Sequence, residues 1–292
     1  MPDTPKPTAR PIRWWLDTLR RRAARMYEEK LGLSQPIAWR SSAEQLAAIK
    51  FFNAAFRAEE SGLRQAHELA HEVEHWSSEL AEVLRLYGNE EGWHRELLEQ
   101  FLSFIGGSVQ PMGRVTGAFY RLYARAERME TIVLTNLMFE TIGATTYRLA
   151  LGRVEHPAAR QMLTILTRDE SFHVPLNVLF LREVLARVPE ASKRRLQRLH
   201  KLLFLSLVLL PIASRPKAQA FDRIGTRELS RAYARELGRL FQREPELGLS
   251  PPRFVLWALG VGSSELGAGE SVTSIEAAER AAEREQVTVT AL

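Results

Sequence analysis

Two copies of one short pattern stand well apart in this chain: Glu90-Glu91-Gly92-Trp93-His94 and Asp169-Glu170-Ser171-Phe172-His173. Each is a Glu-x-x-His with a second acid directly before its glutamate, inside a segment of helical periodicity. Positions i and i+3 share a helix face, so each copy directs a carboxylate and an imidazole to one point. A lone glutamate in an apolar stripe precedes each copy, Glu60 before the first and Glu140 before the second. Four carboxylates and two imidazoles are the donors a two-metal centre needs. Mixed oxygen and nitrogen ligands suit iron or manganese. The ligand set read from type and spacing is therefore Glu60, Glu91, His94, Glu140, Glu170 and His173. Glu59 competes with Glu60, because the apolar stripe passes between them. Glu60 is preferred, and Gly62 close by leaves room beside the metals.

Helices must bring these groups together. Leu80, Leu84, Tyr87, Glu91, His94, Leu98, Phe101 and Ile105 recur in steps of three and four, the inward stripe of a bundle helix. Val133, Leu137, Glu140, Ala144 and Tyr147 repeat the rhythm, as do Leu163, Leu166, Glu170, His173 and Phe180, and Ile49, Phe52, Phe56, Glu60 and Leu63. Glutamate in such a stripe is costly unless it is paired or bound to metal. A capping box of Ser42 and Gln45 opens the first of these helices, Ser77 and Ser78 mark the second, and Gly106-Gly107 stops it. The third ends near Gly152. The fourth starts at Pro157, runs to about Val188, and should kink at Pro175.

From Glu60 to Glu91 is 31 residues, from Glu140 to Glu170 is 30, and from Glu91 to Glu140 is 49. Two antiparallel helices with a short turn return to the same height after the shorter interval. The longer one leaves room for a crossover. The expected class is all-α, with two helical hairpins joined by a long crossover into a four-helix bundle over residues 42–190. Around it are expected a proline-rich arm and basic helix over 1–41, further helices over 191–261 near 192–213, 227–243 and 251–260, and a loosely held tail over 262–292. His67, His71 and His75 also stand in Glu-x-x-His spacing or beside it, but read as a solvated helix face. His156 reads as a helix start and His200 as a surface residue. Asp169 and Glu90 suit either exposed positions or the support of His94 and His173, since a metal-bound imidazole donates its second N–H to a carboxylate.

This pattern resembles the ferritin-like di-iron carboxylate superfamily across about residues 43 to 188. Glu90 to Leu98 looks like the second helix of soluble acyl-carrier-protein desaturases and related di-iron oxygenases, and Asp169 to His173 is similar to the family's fourth-helix motif. The resemblance implies two irons, or manganese in their place, held by the six residues named above, which are then also the catalytic ones. It implies an oxidoreductase that activates dioxygen, with an electron donor, to hydroxylate or desaturate a hydrophobic or carrier-bound organic substrate. A ferroxidase of the ferritin or rubrerythrin type, and a metal-binding helical protein without turnover, are the alternatives. Related oxygenases place a threonine three or four residues after the third-helix glutamate. Here Gly143 and Ala144 stand there, with Thr141, Thr145 and Thr146 nearby. Small Gly143 and Ala144, with Trp93, Phe139 and Phe172, read either as ordinary close packing or as a slot for an elongated apolar substrate. Leu166 replaces the extra histidine of the arylamine N-oxygenase branch.

Composition narrows the classes. The 292 residues are 45% hydrophobic, carry a net charge of +5 and contain no cysteine, which excludes disulfides, zinc thiolates and iron–sulfur clusters. The longest nearly apolar run, Leu202 to Ala213, is too short to cross a bilayer and is interrupted by Ser206 and Pro211. With no charged-then-apolar signal at the start, a cytoplasmic protein is expected, peripheral to a membrane at most. Arg13, Arg20, Arg21, Arg22 and Arg25 crowd one segment in which Ile12, Trp15, Leu19, Ala23 and Met26 recur at helical spacing. Such a helix either packs on the domain with a solvated basic face or docks on an acidic carrier protein or a membrane surface. No nucleic-acid motif joins the basic residues, so nucleic acid is not expected as a partner. A homodimer is compatible with the chain.

Overall fold

In a computed structural model, which describes residues 10–26, 28–113, 117, 126–214 and 218–267, every regular element is helical. The helices are α1 (Ile12–Met26), α2 (Ser42–Val73), α3 (Ser78–Phe104), α4 (Met129–Leu151), α5 (Pro157–Leu185) and α6 (Glu190–Ser214). They continue with α7 (Gln219–Asp222), α8 (Thr226–Arg243), a 3₁₀ turn at Pro245–Leu247, α9 (Arg253–Ala258) and α10 (Ser263–Gly267). The middle of the expected long crossover, 114–116 and 118–125, falls outside the described residues, as do residues 1–9 and the tail beyond 267. The chain separates into two compact units. Among the described residues, one holds those up to Met112 with His156–Met162, and the other holds those within Gly113–Glu155 and from Leu163 to Gly267.

In the first unit α2 and α3 form an antiparallel hairpin. Gln45 Nε2 donates to the Ile105 carbonyl at 2.9 Å, joining the start of α2 to the end of α3. Nearer the hairpin turn, a Cβ on Gly88 of α3 would stand 3.1 Å from Ala66 Cβ of α2, so glycine there permits close approach. Phe52 and Phe101 meet edge to face at 4.6 Å within this core. The capping residue of α2 is Ser41, one position before the expected Ser42. Its side chain accepts from the Glu44 N–H at 3.2 Å, and the Glu44 carboxylate accepts from the Arg40 N–H at 2.8 Å. Gln45 is drawn into the α3 contact instead of the cap. Ser77 caps α3 as expected, accepting from Leu80 N–H at 3.2 Å. Beyond α3, Gly106 takes φ of +77°, a conformation that suits glycine.

α1 ends at Met26, five positions short of the expected 31. It lies along α3 in the same direction, burying Trp15, Leu16, Leu19 and Met26. Three of its basic residues meet acids of α3. Arg13 reaches Glu79 at 3.2 Å, Arg20 reaches Glu82 at 2.7 Å, and Arg22, itself buried, reaches buried Glu90 at 2.7 Å. The packed reading of this helix therefore describes it.

In the second unit α4 and α6 pack on α8, with α9 and α10 against the same helix. Thr146 of α4 and Tyr233 of α8 join hydroxyls at 2.6 Å. Fully buried Glu236 of α8 accepts from Arg235 at 3.0 Å and Arg239 at 3.1 Å, with Arg148 of α4 at 3.5 Å. His200, expected on the surface, is fully buried on α6 with its ring 4.2 Å from Phe241. Loss of hydration pushes its pKa down to about 4, so the imidazole is neutral and apolar in effect. α5 passes Pro175 as one unbroken helix, and its first turn begins in the other unit. Residues 263–267, expected within the tail, form α10 and bury Leu266 against Gly238.

Candidate metal centre

The first hairpin carries a triad of buried side chains. Glu59 of α2 and Glu91 and His94 of α3 each offer one ligand atom, and these atoms lie within 4.8 Å of one another. All three residues are nearly or wholly inaccessible to solvent. His94 Nδ1 faces Glu59 Oε2 at 3.2 Å. The i,i+3 spacing of Glu91 and His94 puts both on the α3 face that looks at α2, as the motif predicts. A cluster of two carboxylates and an imidazole in an apolar hairpin could hold a metal ion.

The glutamate from α2 is Glu59, not the expected Glu60. Glu60 is turned away by one residue's rotation, about 100° on a helix. Its side chain is 42% exposed and pairs with Arg57 at 2.6 Å. At Gly62 a Cβ would stand 3.0 Å from Glu91 Oε2. Glycine thus makes the space the Glu91 carboxylate occupies.

The second unit brings the same residue types together more loosely. His173 Nδ1 lies 3.8 Å from Glu170 Oε2 on its own helix and 3.9 Å from Glu140 Oε2 on α4. Glu170 and His173 are buried, while the Glu140 side chain keeps 11% exposure. Each unit therefore contributes two glutamates and one histidine, with the Nδ1 edge of the ring turned to the carboxylates. His67 and His71 on α2, and His75 in the turn that follows it, are exposed and belong to neither triad.

The acids before the motif glutamates are both buried, which excludes the exposed reading for them. Glu90 accepts from Arg22 Nε at 2.7 Å, and Asp169 accepts from Arg168 Nε at 2.7 Å and Nη2 at 2.9 Å. Sequence reading missed Arg22, which sat in a run of arginines with nothing to distinguish it. Its one signal was a place four residues from Thr18 on the side of α1 that also holds Trp15 and Leu19.

The threonines near Glu140 are committed elsewhere. Thr141 donates to the Leu137 carbonyl, Thr145 to the Thr141 carbonyl and Thr146 to the Ile142 carbonyl, each at 2.7 Å. Of the small residues expected to open a slot, Ala144 is fully buried, as are Trp93 and Phe172 almost entirely. Around Gly143 the nearest atom to an added Cβ would be Tyr147 Cε2 at 3.8 Å, so the open space lies at this position.

No family model, curated protein or solved structure matches this chain.

Proposed function

We propose that this chain is a non-haem di-iron oxidoreductase in which Glu59, Glu91, His94, Glu140, Glu170 and His173 hold two metal ions, iron first and manganese as a substitute. In this reading α2, α3, α4 and α5 close into a ferritin-like four-helix bundle, and the two triads are the halves of one centre. The observation that carries it is a Glu, Glu, His grouping in each unit: a fully buried cluster of Glu59, Glu91 and His94 in one, and buried His173 between Glu170 and the less enclosed Glu140 in the other. Four carboxylates balance two divalent cations, which is what allows such charges to remain in an apolar interior. The nearly equal intervals between the two glutamates of each half support placing those two at one height along their helices.

Bound iron would supply the activation of dioxygen, with electrons from an external donor. The chain's own residues hold the ligands and exclude water. Gly62 leaves the Glu91 carboxylate its place, and Arg22 and Arg168 fix the acids next to Glu91 and Glu170, and with them the rotation of α3 and α5. Glu140 is the most accessible of the six carboxylate and imidazole groups, and Gly143 one turn on is the least crowded position beside it. An apolar or carrier-bound organic substrate would approach along this edge of α4.

Anaerobic titration of metal-free protein with Fe(II) or Mn(II) tests the reading. Two ions should bind per chain and raise the melting temperature by linkage. Glu59→Gln should lose that binding, whereas Glu60→Gln should keep it. Absence of any metal-dependent shift overturns the centre, and two magnetically independent ions overturn its dinuclear form. If ferrous protein under oxygen accumulates mineral iron and no added organic compound alters the rate, a ferroxidase replaces the oxygenase.

A further inference from the structure

α6 carries an outward face that no packing among the described residues uses. Its inward face, Leu196, His200, Leu203, Phe204, Leu207 and Val208, is buried. On the opposite side Leu202 is 62% exposed, Leu205 40%, Leu209 47% and Ile212 61%. These four recur in steps of three, four and three, so they form one continuous stripe. The most apolar stretch of the helix has a mean hydropathy of 1.5, yet only 39% of it is buried, unlike the core helix of a globular unit. An exposed stripe of this kind marks an interaction surface.

Charge decides what covers it. Continued toward the N-terminus in the same steps, the stripe becomes Lys201, Arg198 and Arg194, all exposed, with Arg195 exposed beside them. Among the described residues no carboxylate forms an ion pair with any of these four. The three basic residues of α1 that reach α3 differ sharply, since each has an acidic partner there. A second copy of this helix is a poor occupant. Parallel pairing would set the cations against their own copies, and antiparallel pairing would set Arg194 and Arg198 against Leu209 and Ile212. An anionic bilayer surface fits both halves, taking the cations at its headgroups and the leucines at the acyl boundary. The inward face is held by α4 and α8, so the helix cannot leave the unit to span. In the same unit Phe254 and Trp257 of α9 are 74% and 76% exposed with rings 6.0 Å apart, side chains suited to an interface.

We infer that the outward face of α6, Arg194, Arg198 and Lys201 followed by Leu202, Leu205, Leu209 and Ile212, docks the protein on an anionic lipid surface, with the helix lying in the plane of the membrane. This moves the membrane contact away from α1, where the sequence suggested it. It does not depend on the metal centre.

The full chain, metal-free, is sedimented with vesicles of phosphatidylcholine alone and of phosphatidylcholine containing one-third phosphatidylglycerol. Binding is expected to the anionic vesicles only and to weaken as salt rises. Leu205→Glu with Leu209→Glu should reduce the partition coefficient by at least about tenfold with an unchanged melting temperature, since both side chains are solvated beforehand. Arg194→Gln and Arg198→Gln should each reduce it about fivefold. Arg13→Gln with Arg20→Gln on α1 should leave it unaltered. Failure to bind anionic vesicles, or equal binding by the Leu205→Glu, Leu209→Glu chain, overturns the inference. So does a concentration-dependent dimer that these two substitutions dissociate without any vesicle binding, which would give the face to a second copy.

Discussion

Replacing Gly62 by alanine tests the space beside Glu91 directly. In mid-helix this change contributes about 1 kcal/mol through backbone propensity, so it should stabilise α2 if nothing stands in the way. Something does. The new Cβ would lie 3.0 Å from Glu91 Oε2, 3.1 Å from its Cδ and 3.4 Å from its Cγ. The carboxylate must withdraw by a few tenths of an ångström, and a side chain with 1% exposure has little room to do so. Gly92 supplies the control, because a Cβ there would meet Leu63 Cδ1 at an ordinary 3.6 Å. Gly92→Ala should raise the melting temperature by about 2 °C and bind Mn(II) as the parent does. Gly62→Ala should forfeit that gain and weaken Mn(II) binding about tenfold, the scale seen when the groups that orient a metal ligand are disturbed. Thermal melts of the metal-free chains and anaerobic Mn(II) calorimetry read both quantities. A Gly62→Ala chain that melts as high as Gly92→Ala and binds Mn(II) like the parent would refute the placement of Glu91, and with it the first triad.

Two further outcomes concern stability. His200 is neutral when folded, with its pKa lowered from 6.5 to about 4 by burial, so protonation favours the unfolded chain. Its contribution is complete above pH 6.5 and is lost as pH falls toward 4. Urea titrations at pH 7.5 and 4.5 should show His200→Leu losing about 2 to 3 kcal/mol less over that range than the parent, and an identical loss would refute the assignment. Arg22→Leu leaves Glu90 buried without its guanidinium and should cost about 3 kcal/mol, most of it recovered in the Arg22→Leu, Glu90→Leu chain. Equal stability of Arg22→Leu and the parent in the same assay would contradict a buried pair.

Much of the hairpin geometry was legible because helical spacing is a local property. Glu91 with His94, and Glu170 with His173, share a face for any helix containing them, and Ser77 and Gly106 bracket α3 by backbone chemistry alone. Choosing between Glu59 and Glu60 was different. The two point about 100° apart on either side of the stripe, and only the approach of α3 determines which is enclosed. Arg57 settles the matter by pairing with Glu60 on the outer side. Ser41 and Ser42 are equivalent as caps until Gln45 is claimed by the Ile105 carbonyl. His200 and Arg22 were misread for one reason: a polar type in a basic run suggests solvent, and burial was imposed by Phe241 in one case and Glu90 in the other.

The partner of Arg22 lies 68 positions further along the chain. During synthesis from the N-terminus, the apolar side of α1 therefore emerges well before the helix that covers it exists. α2 and α3, by contrast, are joined by a short link and can find one another as soon as both are made. Trp15, Leu16 and Leu19 stay wet until that hairpin is complete, so this stretch offers a nascent-chain chaperone an apolar side to hold.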